Sequence, residues 1–196
     1  MPVTALDPNT ALVVIDMQKG ILTRSTVHPT ADVLAKVVRL VDAFRARQRP
    51  VVLVRLGWAP SGIDAVRSRT DELPPSAELP PDFFELPPDF SEYADELRAD
   101  PSRDILIHKR QWGAFYGTDL DLHLRRRRIT QLVLCGISTS IGVESTARDA
   151  WERSYNLTFA ADAMTDLVAE AHERALQFIF PRLGENGTVD EIVAQL

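Results

Sequence analysis

The chain holds a single cysteine, so no intrachain disulfide can form and its stability must come from apolar burial. Long apolar runs are missing too. The longest, Ala11 to Ile15, falls far short of the ~20 residues that span a bilayer. Its N-terminus, MPVTALDPNT, has neither a basic region nor a long apolar stretch, so no secretory signal is expected and a reduced, cytoplasmic setting is. Positive charge is the minority sign, with 22 Lys and Arg against 28 Asp and Glu and a formal net charge of −6. A field of that sign repels polyanions, which argues against nucleic acid or an anionic membrane as partner. The four histidines, His28, His108, His123 and His172, are scattered without ligand spacing, and no zinc or iron site is expected from them. Nor is there a phosphate-cradling glycine loop of Walker or dinucleotide type, so no cofactor is expected.

What is present reads as an ordinary globular protein, 45% apolar and 26% charged. A chain of 196 residues fits one domain spanning 1–196, large enough to bury a core without a structural metal. Short β-branched runs alternate with amphipathic stretches, the pattern of a parallel sheet covered by helices on both faces. Strands are expected at Ala11–Asp16, Val51–Leu56, Asp104–His108, Gln131–Cys135 and Leu157–Ala161. Helices are expected at Pro29–Arg47, Leu120–Arg128, Gly142–Arg153, Ala169–Phe180 and Val189–Leu196. In Gly142–Arg153, Val143, Ala147, Ala150 and Trp151 are expected to share a face. Because parallel crossovers are right-handed, the economical topology is a doubly wound, three-layer α/β/α sandwich with a mostly parallel sheet.

Residues 58–102 break this rhythm with the pairs Pro74-Pro75, Pro80-Pro81 and Pro87-Pro88, which favour extended backbone. Phe83, Phe84, Phe90 and Tyr93 offer apolar anchors. Such a long loop can serve as a lid, as a subunit contact or as a solvated excursion. Arg125 to Arg128 fall at a helix C-terminus, where cations complement the dipole.

In an open parallel sheet the ligand crevice lies beyond the carboxyl ends of the strands. Asp16 ends the first strand, Lys109 follows the third, and the fourth runs through Gly136-Ile137-Ser138-Thr139-Ser140-Ile141-Gly142 into a helix. A carboxylate, an ammonium and free backbone N–H groups can therefore converge as an acid/base pair beside an anion site. Asp16 and Lys109 could equally be an ion pair that ties two strands together. Trp112, Phe115 and Tyr116, just after Lys109, could wall a ring-shaped substrate or pack in the core. Arg55 and Trp58, at the end of the second strand, could hold a substrate carboxylate or serve the structure.

These residues resemble the isochorismatase-like hydrolases, many of which are cysteine hydrolases acting on amides. The resemblance rests on ALVVIDMQKGIL at 11–22, HKRQWGAFYGTDL at 108–120, LVLCGISTSIGVESTARDA at 132–150 and ADAMTD at 161–166. It implies a catalytic role for Asp16 and for Lys109. It also implies a cis peptide between Ile137 and Ser138, an anion hole built from the N–H groups of Ser138 and Gly142, and a homo-oligomer. The family's usual nucleophilic cysteine falls at Gly142, which has no side chain to form a covalent intermediate. Cys135, inside the fourth strand, is expected to be a core residue. The Asp-x-His metal motif of related nicotinamidases is replaced here by Leu56-Gly57-Trp58-Ala59-Pro60.

True isochorismatases resemble this chain in having glycine at that position. They cleave an enol ether by acid chemistry, which needs a carboxylic acid of raised pKa and no nucleophile. Their third motif typically reads Gly-Val-Tyr-Ala-His where this chain has Gly136-Ile137-Ser138-Thr139-Ser140, so the pocket differs. The expectation is thus a hydrolase of a small carboxylated or enol-ether-type substrate, acting through Asp16 and Lys109. The alternatives are a degenerate member that binds a metabolite or serves in an assembly, and a cysteine amidase whose cysteine was replaced at Gly142.

Overall fold

The computed structural model describes residues 3–66, 70–72, 80 and 82–196. Pro74, Pro75 and Pro81 lie outside them. Among the described residues six parallel strands form one open sheet in the order β3-β2-β1-β4-β5-β6. They are β1 (Thr10–Ile15), β2 (Val51–Leu56), β3 (Ile105–Lys109), β4 (Gln131–Ile137), β5 (Asn156–Thr165) and β6 (Glu185–Gly187). Seven α-helices among the described residues accompany them: α1 (Lys19–Leu22), α2 (Thr30–Ala46), α3 (Leu120–Arg126), α4 (Glu144–Glu152), α5 (Ala169–Arg174), α6 (Phe180–Leu183) and α7 (Val189–Ala194).

Alternation along β1 divides the core into two layers. Val13 and Ile15 point to one face with Val52, Val54, Leu132 and Leu134, where Leu120, Ala147 and Phe180 cover them. Leu12 and Val14 point to the other with Leu53 and Val133, under Val37, Leu40, Val41 and Phe44 of α2 and Ile192 of α7. Both faces of the central strands are thus sealed, which is why β1 and β4 are almost wholly apolar, whereas the edge strand β3 leaves Leu106 and His108 exposed. The three-layer α/β/α expectation holds.

Several elements depart from the expected pattern. The strand β6 and the helix α1 were not anticipated, because three or four residues are too few to carry a periodic signal. The expected helix Ala169–Phe180 is interrupted by a widened π-turn at Ala175–Ile179 just before Pro181, whose ring would clash with an unbroken helix. Another π-turn, Thr139–Val143, starts the helix expected at Gly142 three residues early. Trp151 is half exposed rather than sharing the buried face of Ala147 and Ala150, since consecutive helical residues lie about 100° apart.

The long segment 58–102 returns to the sheet at its C-terminal end. Phe90, Ala94 and Leu97 are buried, and the Tyr93 hydroxyl donates to the Leu53 carbonyl at 2.9 Å. The fully buried Gln18 clamps this return: its Nε2 donates to the carbonyls of Leu56 and Phe90, both at 2.8 Å, while its Oε1 accepts from the Leu56 N–H at 2.6 Å.

Candidate active site

Strand order reverses between β1 and β4, which lie side by side and parallel while their successors run to opposite edges of the sheet. Such a switch point opens a crevice at the carboxyl ends of the strands. Asp16 leaves β1 there in the left-handed region at φ 52°, a conformation that aspartate tolerates better than most residues. Gly136, at φ 117°, lets β4 pass against β1, since a Cβ on it would lie 2.1 Å from the Ile15 carbonyl oxygen. The peptide between Ile137 and Ser138 is cis, as the family resemblance implied.

Lys109, at the end of β3, reaches under this turn. Its Nζ sits 2.8 Å from Asp16 Oδ2 and donates to the Trp112 carbonyl at 2.6 Å. Both side chains are almost fully buried. Asp16 Oδ1 is also buried and has no hydrogen-bond partner. Burial destabilises the carboxylate more than Lys109 stabilises it, and the Asp16 pKa is pushed up to about 6. A carboxyl poised there can give and take a proton near neutral pH.

Gly142 closes the arrangement. A Cβ built on it would lie 3.2 Å from Lys109 Nζ, 3.3 Å from Asp16 Oδ2 and 3.0 Å from Ile15 Cγ2. This glycine therefore faces the pair directly, and its lack of a side chain leaves room beside both charged atoms. Cys135 is wholly buried between the sheet and α2, where desolvation raises its thiol pKa strongly. It is a core residue, not a substitute nucleophile.

A cavity of about 200 Å³ opens over the pair, lined by Asp16, Lys109, Gly142 and Ser138 with Trp112 and Arg24 among its walls. A larger hollow of about 710 Å³ near Thr4 and Trp151 holds neither Asp16 nor Lys109, so the smaller cavity is the candidate active site. Of the residues singled out from sequence, the cavity brings together Asp16, Lys109, Trp112, Ser138 and Gly142. Phe115 is instead buried in the core, stacked on Tyr155. Trp58 donates to the Phe84 carbonyl, Tyr116 is largely solvent-exposed, and Arg55 lies over the Tyr93 ring on a separate hollow. None of these four lines the cavity, nor does any described residue of 58–102.

Two supports of the turn escaped the sequence reading. Asp166 accepts from the N–H of Ser140 at 2.6 Å and of Leu167 at 2.7 Å. Thr139 Oγ1 lies 3.0 Å from the Thr165 carbonyl, to which it can only donate, and so accepts from His172 Nδ1 at 2.8 Å. That assigns the His172 proton to Nδ1. The N–H groups of Ile141 and Val143 both bond the Ser138 carbonyl, whereas the Ser138 N–H has no acceptor among the described residues. Asp166 stood within the ADAMTD motif, but nothing in sequence showed which backbone it would hold.

Fold and site together define an α/β enzyme with its candidate active site at the switch point of a parallel sheet. Residues 10–191 match the family model described as isochorismatase domain, and the chain belongs to the isochorismatase family of hydrolases, within the cysteine hydrolase superfamily. It is 47% identical over 188 residues to the uncharacterized isochorismatase family protein YecD of Escherichia coli O157:H7, covering 95% of this chain and 96% of that one. Ureidoacrylate amidohydrolase RutB of Methylobacterium radiotolerans is 35% identical over 189 residues, with 87% and 73% covered. Among solved structures, an isochorismatase family protein from Burkholderia thailandensis superimposes with a TM-score of 0.88 at 45% identity, covering 100% of this chain and 98% of that one. Among the described residues, no helix is long and apolar enough to cross a membrane and no group of His, Cys, Asp and Glu could hold a metal ion.

Proposed function

We propose that this chain hydrolyses a small organic substrate by acid–base chemistry at Asp16 and Lys109, with water as the nucleophile and no covalent enzyme intermediate. One observation carries the reading: a buried carboxyl, paired on one oxygen and unpartnered on the other, faces a glycine where a nucleophilic side chain would otherwise stand. For an enol-ether substrate, Asp16 gives its proton to the vinyl carbon and leaves an oxocarbenium ion. Water adds to that ion and returns a proton to Asp16. The resulting hemiketal then collapses to a ketone and an alcohol. Lys109 holds Asp16 in place and offsets its charge after proton transfer. The N–H groups of Ser138 and Gly142 would hold an anionic oxygen of the substrate, and Trp112 would wall its body.

The relatives named as ureidoacrylate amidohydrolases favour a second reaction at the same pair, hydrolysis of an amide. In that case Asp16 acts first as a base on water. The two reactions differ in the sign of their pH dependence. An acid is competent while protonated, so enol-ether turnover falls as pH rises through about 6; a base is competent once ionised, so amide turnover rises through the same value. The deciding experiment measures pyruvate release from isochorismate, beside turnover of small amides including ureidoacrylate, by wild type and Lys109→Ala. Pyruvate release that Lys109→Ala abolishes supports the acid reading. Turnover of no substrate favours a degenerate, metabolite-binding member of the family. A gain of amidase activity in Gly142→Cys would instead mark the chain as a cysteine amidase that lacks its nucleophile.

The chain is also read as one domain working in a reduced, cytoplasmic setting and as a homo-oligomer. Exposed Trp112 and Tyr116 near the cavity support self-association. Sedimentation of only a 21.9 kDa species at micromolar concentration would refute it.

A further inference from the structure

Three charged side chains line the cavity: Asp16, Lys109 and Arg24. The first two face each other at 2.8 Å and cancel. Arg24, just beyond α1, is left as the uncompensated positive charge. Arg39, Arg45, Arg98, Arg110, Arg148 and Arg153 all pair with a carboxylate, as a chain of net charge −6 readily allows. The Arg24 guanidinium has no hydrogen-bond or ion-pair partner among the described residues, although it stands where the cavity opens. Much of the remaining wall is apolar, formed by Ile21, Leu56, Trp112, Ile137, Ile141 and Leu167. The unpartnered, buried Asp16 Oδ1 independently marks the same space as a ligand site.

We propose that Arg24 binds a carboxylate and that the substrate is a small carboxylate with an apolar body, an anionic end at Arg24 and its reacting end at Asp16 and Lys109. The orientation rests on the acid–base reading above; carboxylate binding does not. A planar guanidinium meets a carboxylate through two parallel N–H bonds, which fixes direction as well as charge. Size narrows the class further. An apolar cavity of about 150 Å³ accommodates benzene, so one of about 200 Å³ takes a ring or a short unsaturated chain with a small substituent.

The test is calorimetric titration with benzoate, a carboxylate that cannot be hydrolysed, and with benzyl alcohol, an uncharged compound of similar size that cannot be hydrolysed either. Wild type, Arg24→Met and Arg24→Lys are compared at pH 7.5. Arg24 is exposed and its side chain bonds nothing among the described residues, so its replacement is expected to leave the fold intact, which an unchanged melting temperature checks. Benzoate is expected to bind wild type, to bind Arg24→Met at least tenfold more weakly, and to recover part of the loss in Arg24→Lys. Benzyl alcohol is expected to bind weakly and equally to all three. Equal benzoate affinity in wild type and Arg24→Met overturns the proposal, as does benzyl alcohol binding as tight as benzoate, or no benzoate binding at all. The same titration on Asp16→Asn separates the two readings, because carboxylate binding there is expected to persist whether or not any substrate is turned over.

Discussion

The buried carboxylates Asp104 and Asp16 each pair with a cation at this sheet, and the two pairs are built differently. Asp104, before β3, accepts from Arg45 of α2 on both carboxylate oxygens, at 3.1 and 2.7 Å, and its Oδ2 also accepts from the Asp100 N–H at 3.0 Å. Every oxygen of that carboxylate is satisfied within the protein. Asp16 is buried almost as deeply, yet Lys109 engages only its Oδ2, and Oδ1 is left bare. A carboxylate withdrawn from water costs several kcal/mol unless its lone pairs are filled. The Arg45–Asp104 pair meets that cost locally and ties a helix to a strand entry. The Asp16–Lys109 pair leaves part of it unmet, which is tolerable where a ligand will supply the missing contact.

Removing the acid from each pair should separate the two roles. Asp16→Asn keeps the shape of the side chain but cannot transfer a proton, and turnover is expected to fall about a thousandfold, within the range seen for general acid–base groups. A steady-state assay on the substrate found above checks this. Retention of more than a tenth of the wild-type kcat would leave Asp16 without a chemical role. Asp104→Ala strands the Arg45 guanidinium in a site where it is only slightly exposed, and is expected to cost about 3 kcal/mol of stability. Urea unfolding measures that loss, while kcat per folded molecule should stay within about twofold of wild type.

The same contrast predicts a dependence of stability on pH. Asp16 titrates near 6 in the folded chain but at the ordinary carboxylate value when unfolded. Between about pH 4 and 6 the folded state therefore binds more protons than the unfolded one, and stability falls as pH rises through that window. The contribution is fully present below pH 4 and is lost above pH 6. Asp16→Asn is expected to flatten that slope in urea melts taken across the window, whereas Asp104→Ala should leave it in place. A wild-type stability that rises from pH 4 to 6 by the amount lost in Asp16→Asn would reverse the sign and refute the raised pKa.

Much of this arrangement was legible beforehand, and the limits have physical causes. Strands β1, β2 and β4 announce themselves as runs that are apolar on both faces, β3 and β5 by shorter apolar runs, and Asp16, Lys109 and Gly142 stand at strand ends where a parallel sheet places its crevice. Side-chain direction was not legible beyond the regular elements. Phe115 and Trp112 lie three residues apart after the same strand, yet one packs on Tyr155 in the core while the other lines the cavity. Arg24 escaped notice because an arginine after a four-residue helix has no sequence signature, and only the folded chain shows it beside the cavity. Gln18 escaped for a related reason: its three hydrogen bonds join segments that are distant in sequence.

Arg55 offers the mildest test of the comparison. Like Arg24 it follows an apolar stretch and lies near the sheet's carboxyl edge, and sequence alone made it the candidate for binding a substrate carboxylate. In the fold its Nη1 reaches the Ser91 carbonyl at 3.4 Å and its guanidinium stands 5.6 Å from the centre of the Tyr93 ring, on a hollow shared with Glu92 and Asp95. Lys19 pairs with both of those carboxylates, and the hollow does not include Asp16 or Lys109, so an anion held there would not reach the reacting pair. Arg55→Met should therefore leave kcat/KM within about twofold of wild type and cost no more than about 1 kcal/mol, the worth of a partly exposed cation–π contact. A tenfold rise in KM with the melting temperature unchanged would place Arg55 in the substrate's path, and would show that the cavity over Asp16 extends farther along the sheet edge than its walls now indicate.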